Sequence, residues 1–340
     1  MKIFEAFQIK DVGFQNRVVM APMVPFGLQQ AKDGVMSDEA IRHCLLRVPN
    51  GMGLMICQSL SVTRNKTISG GAGVYSDAHI PYLHQLTEGF HSVGTRFFAQ
   101  LAYPSTGYQN GDSILQYTQS DLEEIRREFV TAAEICKKAG CDGIELHGAH
   151  GFFLNMMASS VANKRTDRYG GDIRGRLRLA EEIVGAIKAF SDERFIISYR
   201  MGWNERLEQD VEMAQALEEI GIELLHVSSG IPSERVLNRP AGFPYNDVVY
   251  TGVYIKEHVG IPVTVVNAIR TINRGNALLE EGLCDFVAYG KPFLADEAFL
   301  THSHKNSDYQ PCLKCRNCQW FVHGAKCPAQ IKAKKMNPAF

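Results

Sequence analysis

The chain is short of most features that would announce a function. Its 340 residues carry a formal net charge of -1, with Lys+Arg 36 against Asp+Glu 37. So even a balance leaves no general electrostatic footprint for nucleic acid or an anionic membrane. No uninterrupted apolar run approaches the ~18 residues that a membrane helix needs. The start, MKIFEAFQIKD, has charges where a secretion signal has its apolar stretch, so the expected location is cytoplasmic. No G-x-G-x-x-G follows an early strand and no P-loop exists; Gly70, Gly71 and Gly73 cluster without the right spacing. G-x-S-x-G and H-E-x-x-H are also missing, which argues against two common hydrolase types.

What is present is an ordinary globular composition, 45% hydrophobic and 21% charged, with ample material for a core. Short apolar runs alternate with longer amphipathic stretches. The runs are Val18–Met20, Leu54–Cys57, Phe97–Leu101, Gly143–His147, Phe195–Tyr199, Leu224–Ser228, Val263–Val266 and Phe286–Tyr289. Continuous apolar runs suit strands buried on both faces of a parallel sheet. The clearest helix is Asp121–Ala139, where Leu122, Ile125, Phe129, Ala132, Ala133 and Cys136 recur at helical spacing and Ser120 is a candidate N-cap with Glu123 beyond it. Eight strand–helix units predict an α/β fold, a (β/α)8 TIM barrel over residues 1–300. An open doubly wound sheet is the alternative. After Pro292 the rhythm stops, and residues 301–340 read as a short cysteine-bearing extension, not an independent domain.

In a barrel, chemistry sits at the C-terminal ends of the strands. The polar residues there are Gln58 and Ser59, Gln100, His147 and His150, Arg200, His226, Ser228 and Ser229, Asn267, and Gly290 with Lys291. A carboxylate pair is absent from this set, so sugar hydrolysis is not expected. An arginine, amide side chains, a histidine pair and a late lysine suit a large polar, anionic ligand. Flavin mononucleotide has that character: an amide-like pyrimidine edge, a locus that welcomes a cation, and a phosphate. Blander readings stand beside this one. His226 reads equally as a site residue or a core histidine. Lys164, Arg165, Asp167 and Arg168 read as a hydrogen-bonded anchor, and Met156 and Met157 as packing.

These residues carry a resemblance. His147-Gly-Ala-His150-Gly151, followed by Asn163-Lys-Arg-Thr-Asp-Arg-Tyr-Gly-Gly171, resembles the histidine-pair motif and the N-R-R-T-D-x-Y-G-G of the Old Yellow Enzyme family, in its bacterial NADH:flavin oxidoreductase / NADH oxidase branch. Ala21-Pro-Met23, Gln100-Leu101, Arg200 and Gly290-Lys291-Pro-Phe match further motifs in order. The resemblance implies an FMN-dependent oxidoreductase that takes hydride from NAD(P)H and passes it to an activated alkene, quinone or other acceptor. It implies contacts to the isoalloxazine from Pro22, Met23 and Ser59, and to the pyrimidine edge from Gln100. It further implies Arg200 at the N1/O2 locus, and Asn267, Ala268, Gly290 and Lys291 at the phosphate. His147 and His150 would bind the substrate's carbonyl oxygen. A small-molecule substrate and NAD(P)H are the implied partners, with homo-oligomerisation the family's habit.

The departures are as informative. Where the family has a proton-donating tyrosine two residues after the second histidine, this chain has Phe152, which carries no donor. Val24 replaces a usual Thr or Cys, and Asn267-Ala268 replaces Gly-Gly. Tyr103, in the altered third-strand motif, is the candidate substitute donor. A flavin- or metal-binding electron-transfer or interaction module without ene-reductase activity is the alternative function. A tRNA-dihydrouridine synthase, similar in fold, fits poorly with a charge of -1.

Cysteine is unevenly spread. Cys44, Cys57, Cys136, Cys141 and Cys284 sit among apolar neighbours and read as core. Cys312, Cys315, Cys318 and Cys327 have ligand spacing, x2, x2 and x8. They resemble the [4Fe–4S] loop beside the N-terminal barrel of 2,4-dienoyl-CoA reductase and trimethylamine dehydrogenase, where the cluster passes electrons onward. A zinc site with all four thiolates as ligands is the rival. A cluster here implies an electron-transfer partner protein.

Overall fold

A computed structural model describes residues 1–28, 31–65, 71–231 and 237–336, the last three by backbone alone. Gly70 lies outside the described residues. Two short strands, β1 (Phe7–Ile9) and β2 (Val12–Phe14), pair antiparallel. Eight more close a parallel barrel in chain order. They are β3 (Val18–Met20), β4 (Leu54–Ser61), β5 (Arg96–Ala102), β6 (Gly143–Gly148), β7 (Ile196–Gly202), β8 (Leu224–Ser228), β9 (Val263–Val266) and β10 (Phe286–Tyr289). β10 returns to pair with β3. Each expected run is a barrel strand, and the open-sheet alternative is excluded by that closure.

The helices are α1 (Asp38–Leu45), α2 (Ile80–His91), α3 (Gln119–Lys138), α4 (Phe153–Ala158), α5 (Ile173–Lys188), α6 (Leu207–Glu219), α7 (Asp247–Lys256), α8 (Ile272–Glu280), α9 (Lys291–Ala295), α10 (Phe299–Lys305) and α11 (Pro328–Met336). Helix α3 begins two residues before the expected start. Thr118, not Ser120, is its N-cap, and the reciprocal partner is Asp121 rather than Glu123. Both caps satisfy end N–H groups, but Thr118 lies one step outside the apolar stripe and so leaves Leu122 its full turn. Beyond Pro292 the strand–helix alternation ends as expected: among the described residues no strand follows β10, and Pro292 sits in the first turn of α9, the first of three short helices.

The hairpin β1–β2 has no counterpart among the expected strands, since strands of three residues leave almost no periodic signal. It plugs the N-terminal end of the barrel. Phe14 is buried with its edge against Phe98 and Phe286, 6.3 and 5.2 Å between centroids. Function is thereby confined to the opposite mouth. The loop before α5 is an anchor: Arg165 donates to the carbonyls of Ile114 and Tyr117 at 3.1 and 2.6 Å while holding Asp167. Met156 and Met157 are core.

The C-terminal extension folds back on the barrel. Trp320 is buried, packs on His43 at 5.1 Å and donates its indole N–H to the Val24 carbonyl at 3.1 Å. Phe26 meets Phe321 edge-on at 5.8 Å. The extension thus grips the loop after β3. No helix among the described residues is long and apolar enough to cross a membrane.

Candidate active site

The parallel ladders bring the polar residues level with one another. His147 on β6 faces Arg200 on β7, and Arg200 faces His226 on β8. On the other side Glu145 is the register partner of Gln100. Between Ile56 and Ser59 the β4–β5 register shifts, which sets Ser59 beside Gln100. Bulges of this kind re-aim side chains near active sites. Here the shift lets the Ser59 hydroxyl donate to the Gln100 carbonyl oxygen.

These residues surround a cavity of about 590 Å³ at the C-terminal mouth, bordered by Pro22, Met23, Ser59, Gln100, Tyr103, His147, His150, Phe152 and Arg200. A neighbouring cavity of about 260 Å³ shares Met23, His150 and Arg200 and is bordered also by Asn267, Ala268, Gly290 and Lys291. Of the polar residues expected at the strand ends, Gln58 and His226 are buried and border neither space; the residues expected to hold flavin and substrate all line one of the two. Phe26 and Phe321 close the first from the side of the extension.

Backbone strain marks the second cavity. Asn267 and Ala268 hold φ at 101° and 54°, left-handed values that L side chains rarely adopt. The chain keeps a glycine-type turn here without glycine, and such strain gathers where a ligand is clamped. Gly290 permits a close approach: a Cβ there would lie 3.1 Å from the Met23 sulfur. His150 is also left-handed, at φ 63°. That bend turns its ring so that Nε2 stands 2.8 Å from the Ser228 hydroxyl, and its N–H donates to the Ser229 carbonyl at 2.9 Å.

Burial dominates the electrostatics. Desolvation, aided by the Arg200 charge, pushes His147 down to about 3. The same causes hold His150 well below the ordinary imidazole range. Both rings are therefore neutral hydrogen-bonding groups at physiological pH. Burial also lowers Arg200, against the opposing pull of Glu145. For Glu145 burial acts to raise, but His226, Arg200 and Gln100 outweigh it and keep the carboxyl ionised. Glu145 accepts from Gln100 Nε2 at 2.7 Å and lies 2.8 Å from His226 Nδ1. His226 is thus a core residue beneath the site. Glu145 escapes the sequence reading because a single carboxylate inside an apolar run has no pattern of its own. Its spacing two before His147, which gives both residues the same face of β6, is the available signal.

Among the described residues, Arg200 Nε and His147 Nδ1 are buried atoms without a hydrogen-bond partner, and both side chains border the first cavity. A bound FMN fits: a carboxamide and a hydroxyl at Gln100 and Ser59, a cation at Arg200, and Lys291 beside a strained backbone for the phosphate.

Cys312, Cys315, Cys318 and Cys327 border a third, small cavity of about 80 Å³, together with Arg270, Lys291 and Lys314. Among the described residues no group of three or more His, Cys, Asp or Glu is gathered tightly enough to hold a metal ion. The other five cysteines are buried, as expected of core. Arg270 and Lys291 border both this cavity and the phosphate-side one.

A closed eight-stranded parallel barrel with a cation, neutral histidines and a strained turn gathered at one mouth defines the class: a (β/α)8 barrel whose polar site lies at the C-terminal ends of its strands. The chain belongs to the NADH:flavin oxidoreductase / NADH oxidase family, whose model matches residues 2–116 and 105–309. It is 31% identical over 343 residues to an NADH oxidase of Thermoanaerobacter brockii, which covers 92% of this chain and 52% of that protein. It is 29% identical to an NADPH dehydrogenase of Listeria welshimeri over 88% of this chain and 95% of that one. The chain therefore spans about half the length of the first relative and nearly all of the second. In fold it is similar to the old yellow enzyme homologue of Zymomonas mobilis, with TM-score 0.74, 20% identity, and coverage of 95% and 97% of the two chains.

Proposed function

We propose that the protein is an FMN-dependent oxidoreductase that takes hydride from NAD(P)H and delivers it to an activated alkene, a quinone or another small acceptor. The observation that carries this is the meeting of Gln100, His147, His150 and Arg200 around one cavity of about 590 Å³ at the C-terminal mouth of the barrel. FMN, when bound, supplies the hydride-accepting and hydride-donating centre.

The chain's own residues do the rest. Gln100 and Ser59 present donor and acceptor groups to a pyrimidine edge. Arg200 stabilises negative charge that grows on reduction. Neutral His147 and His150 donate to a substrate oxygen and polarise it without themselves giving up a full charge. Phe152 has no proton to offer. Tyr103, which borders the same cavity and is held protonated by burial and the neighbouring Tyr117, is the candidate substitute donor. The apolar walls Val24, Phe26, Phe152 and Phe321 keep water out and suit a flat, weakly polar acceptor.

The cysteine cavity is read as the seat of a [4Fe–4S] cluster. Support comes from four thiols bordering one space, with three cations and no carboxylate to balance an anionic centre. A zinc ion is the rival outcome of metal analysis. An iron–sulfur cluster beside Lys291 would suit electron passage between the flavin site and a partner protein. The five buried free thiols elsewhere suit a reducing compartment such as the cytoplasm.

The test is anaerobic purification, a visible spectrum, and addition of NADH and NADPH in turn. Bound flavin that bleaches supports the proposal; a colourless protein that takes up no added FMN overturns it.

A further inference from the structure

Glu145 is the group in this site that the chemistry above leaves unused. Its side chain is fully buried on β6. Burying a carboxylate is expensive, and a well-packed apolar residue is often the more stable choice at such a position. Stability alone therefore gives little reason for it. Its surroundings give another. One oxygen accepts from Gln100 Nε2 at 2.7 Å; the other lies 2.8 Å from His226 Nδ1. An ionised carboxylate only accepts hydrogen bonds. The Gln100 amide must therefore turn its nitrogen toward Glu145 and its oxygen toward the Ser59 hydroxyl. One N–H and one carbonyl lone pair of Gln100 are left for the cavity it borders.

Charge is the second effect. Among the described residues no ion pair holds Arg200; its hydrogen bond is to the Ser228 hydroxyl at 3.5 Å. Glu145 lies one layer below, two residues before His147, which is the register partner of Arg200. Its charge and that of Arg200 act on each other through the dry barrel interior. With the histidines neutral, the floor of the site is a balanced pair, cation uppermost.

We propose that Glu145 is a positioning residue for the cofactor site: it fixes which end of the Gln100 carboxamide faces the cavity, and its negative charge moderates the field that Arg200 presents there. This rests on the FMN reading above. The arrangement sets how strongly the site favours reduced over oxidised flavin, without Glu145 touching either.

The test compares holoprotein as purified with Glu145→Gln and Glu145→Asp, reading FMN affinity by fluorescence quenching and the flavin midpoint potential by spectroelectrochemistry. Glu145→Gln keeps the shape and removes the charge. Its potential should rise by about 30 mV or more, equal to about tenfold tighter relative binding of the reduced form for a two-electron couple. Glu145→Asp keeps the charge but withdraws it by one methylene from Gln100. Its potential should stay near the parent value while FMN affinity falls about tenfold. An unchanged potential in folded, FMN-loaded Glu145→Gln overturns the proposal and leaves the FMN reading standing. Should Glu145→Gln not fold, parent-like FMN affinity in Glu145→Asp overturns it instead. If the parent protein itself takes up no FMN, both readings fall together.

Discussion

The ring of His147 lies 5.4 Å from that of Phe152, edge to face at 60°. A side chain at this place, so close to a carbonyl-polarising histidine, is well set to deliver a proton, and phenylalanine has none. Protonating a substrate carbanion needs an O–H or N–H within reach. Cyclohexenone should therefore be reduced slowly even when NAD(P)H reduces the flavin readily. Phe152→Tyr should speed the step that oxidises the flavin, up to the about 10²–10⁴-fold typical of a placed general acid, and leave flavin reduction unchanged. Stopped-flow traces of the two half-reactions separate these. Enone turnover as fast as flavin reduction in the parent protein would point to Tyr103, and Tyr103→Phe would then remove it.

Arg200→Met should weaken FMN binding and lower the flavin potential. The substitution keeps apolar bulk and deletes a buried cation. A hydrogen bond to a charged group contributes about 1.5–3 kcal/mol, so the dissociation constant should rise about 10- to 100-fold. Fluorescence titration of the apoprotein with FMN measures it directly.

The pH dependence of stability follows from His147, whose neutral form burial protects down to about 3. Above about 6.5 the folded and unfolded chains both carry a neutral ring, and pH has no effect through this group. As pH falls from about 6.5 toward 3, the unfolded chain takes up a proton that the folded chain refuses, so stability is lost across that window. Urea melts at pH 7.5, 6 and 5 should show this decline. His147→Gln should make the decline shallower, with the buried His150 keeping its own share, and an equal slope in the variant would assign the effect to other groups.

Anaerobic metal analysis should find about four iron per chain, bound through Cys312, Cys315, Cys318 and Cys327. About one zinc would replace the cluster by a structural site. Changing all four cysteines to serine with no effect on metal content or stability would remove metal from the account.

Trp320→Ala should destabilise the protein by about 3–5 kcal/mol, the usual range for a buried tryptophan, because it empties the space against His43 and loses the bond to the Val24 carbonyl. Denaturant melts give the value. Trp320→Phe should lose less.

The sequence by itself determined the strands: eight continuous apolar runs suit a parallel sheet covered on both faces, and each run became a strand. Closure was decided by the tertiary structure, where β10 pairs with β3 and excludes the open sheet. Motif order also pointed to Gln100, Arg200, the histidine pair and Lys291, because these sit at strand ends where alternation places them at one mouth. Other features exist only in three dimensions. The hairpin plug needed Phe98 and Phe286 as its floor. Thr118 won the cap of α3 by its hydrogen bonds to the backbone and to Asp121, not by its residue type. Glu145 acquires a role only when closure of the sheet sets it between Gln100 and His226, residues 45 and 81 positions away. Phe321 reaches the cavity only because Trp320 anchors the extension to the loop after β3. Local pattern is written in neighbouring residues, whereas these contacts join distant ones, and packing decides them.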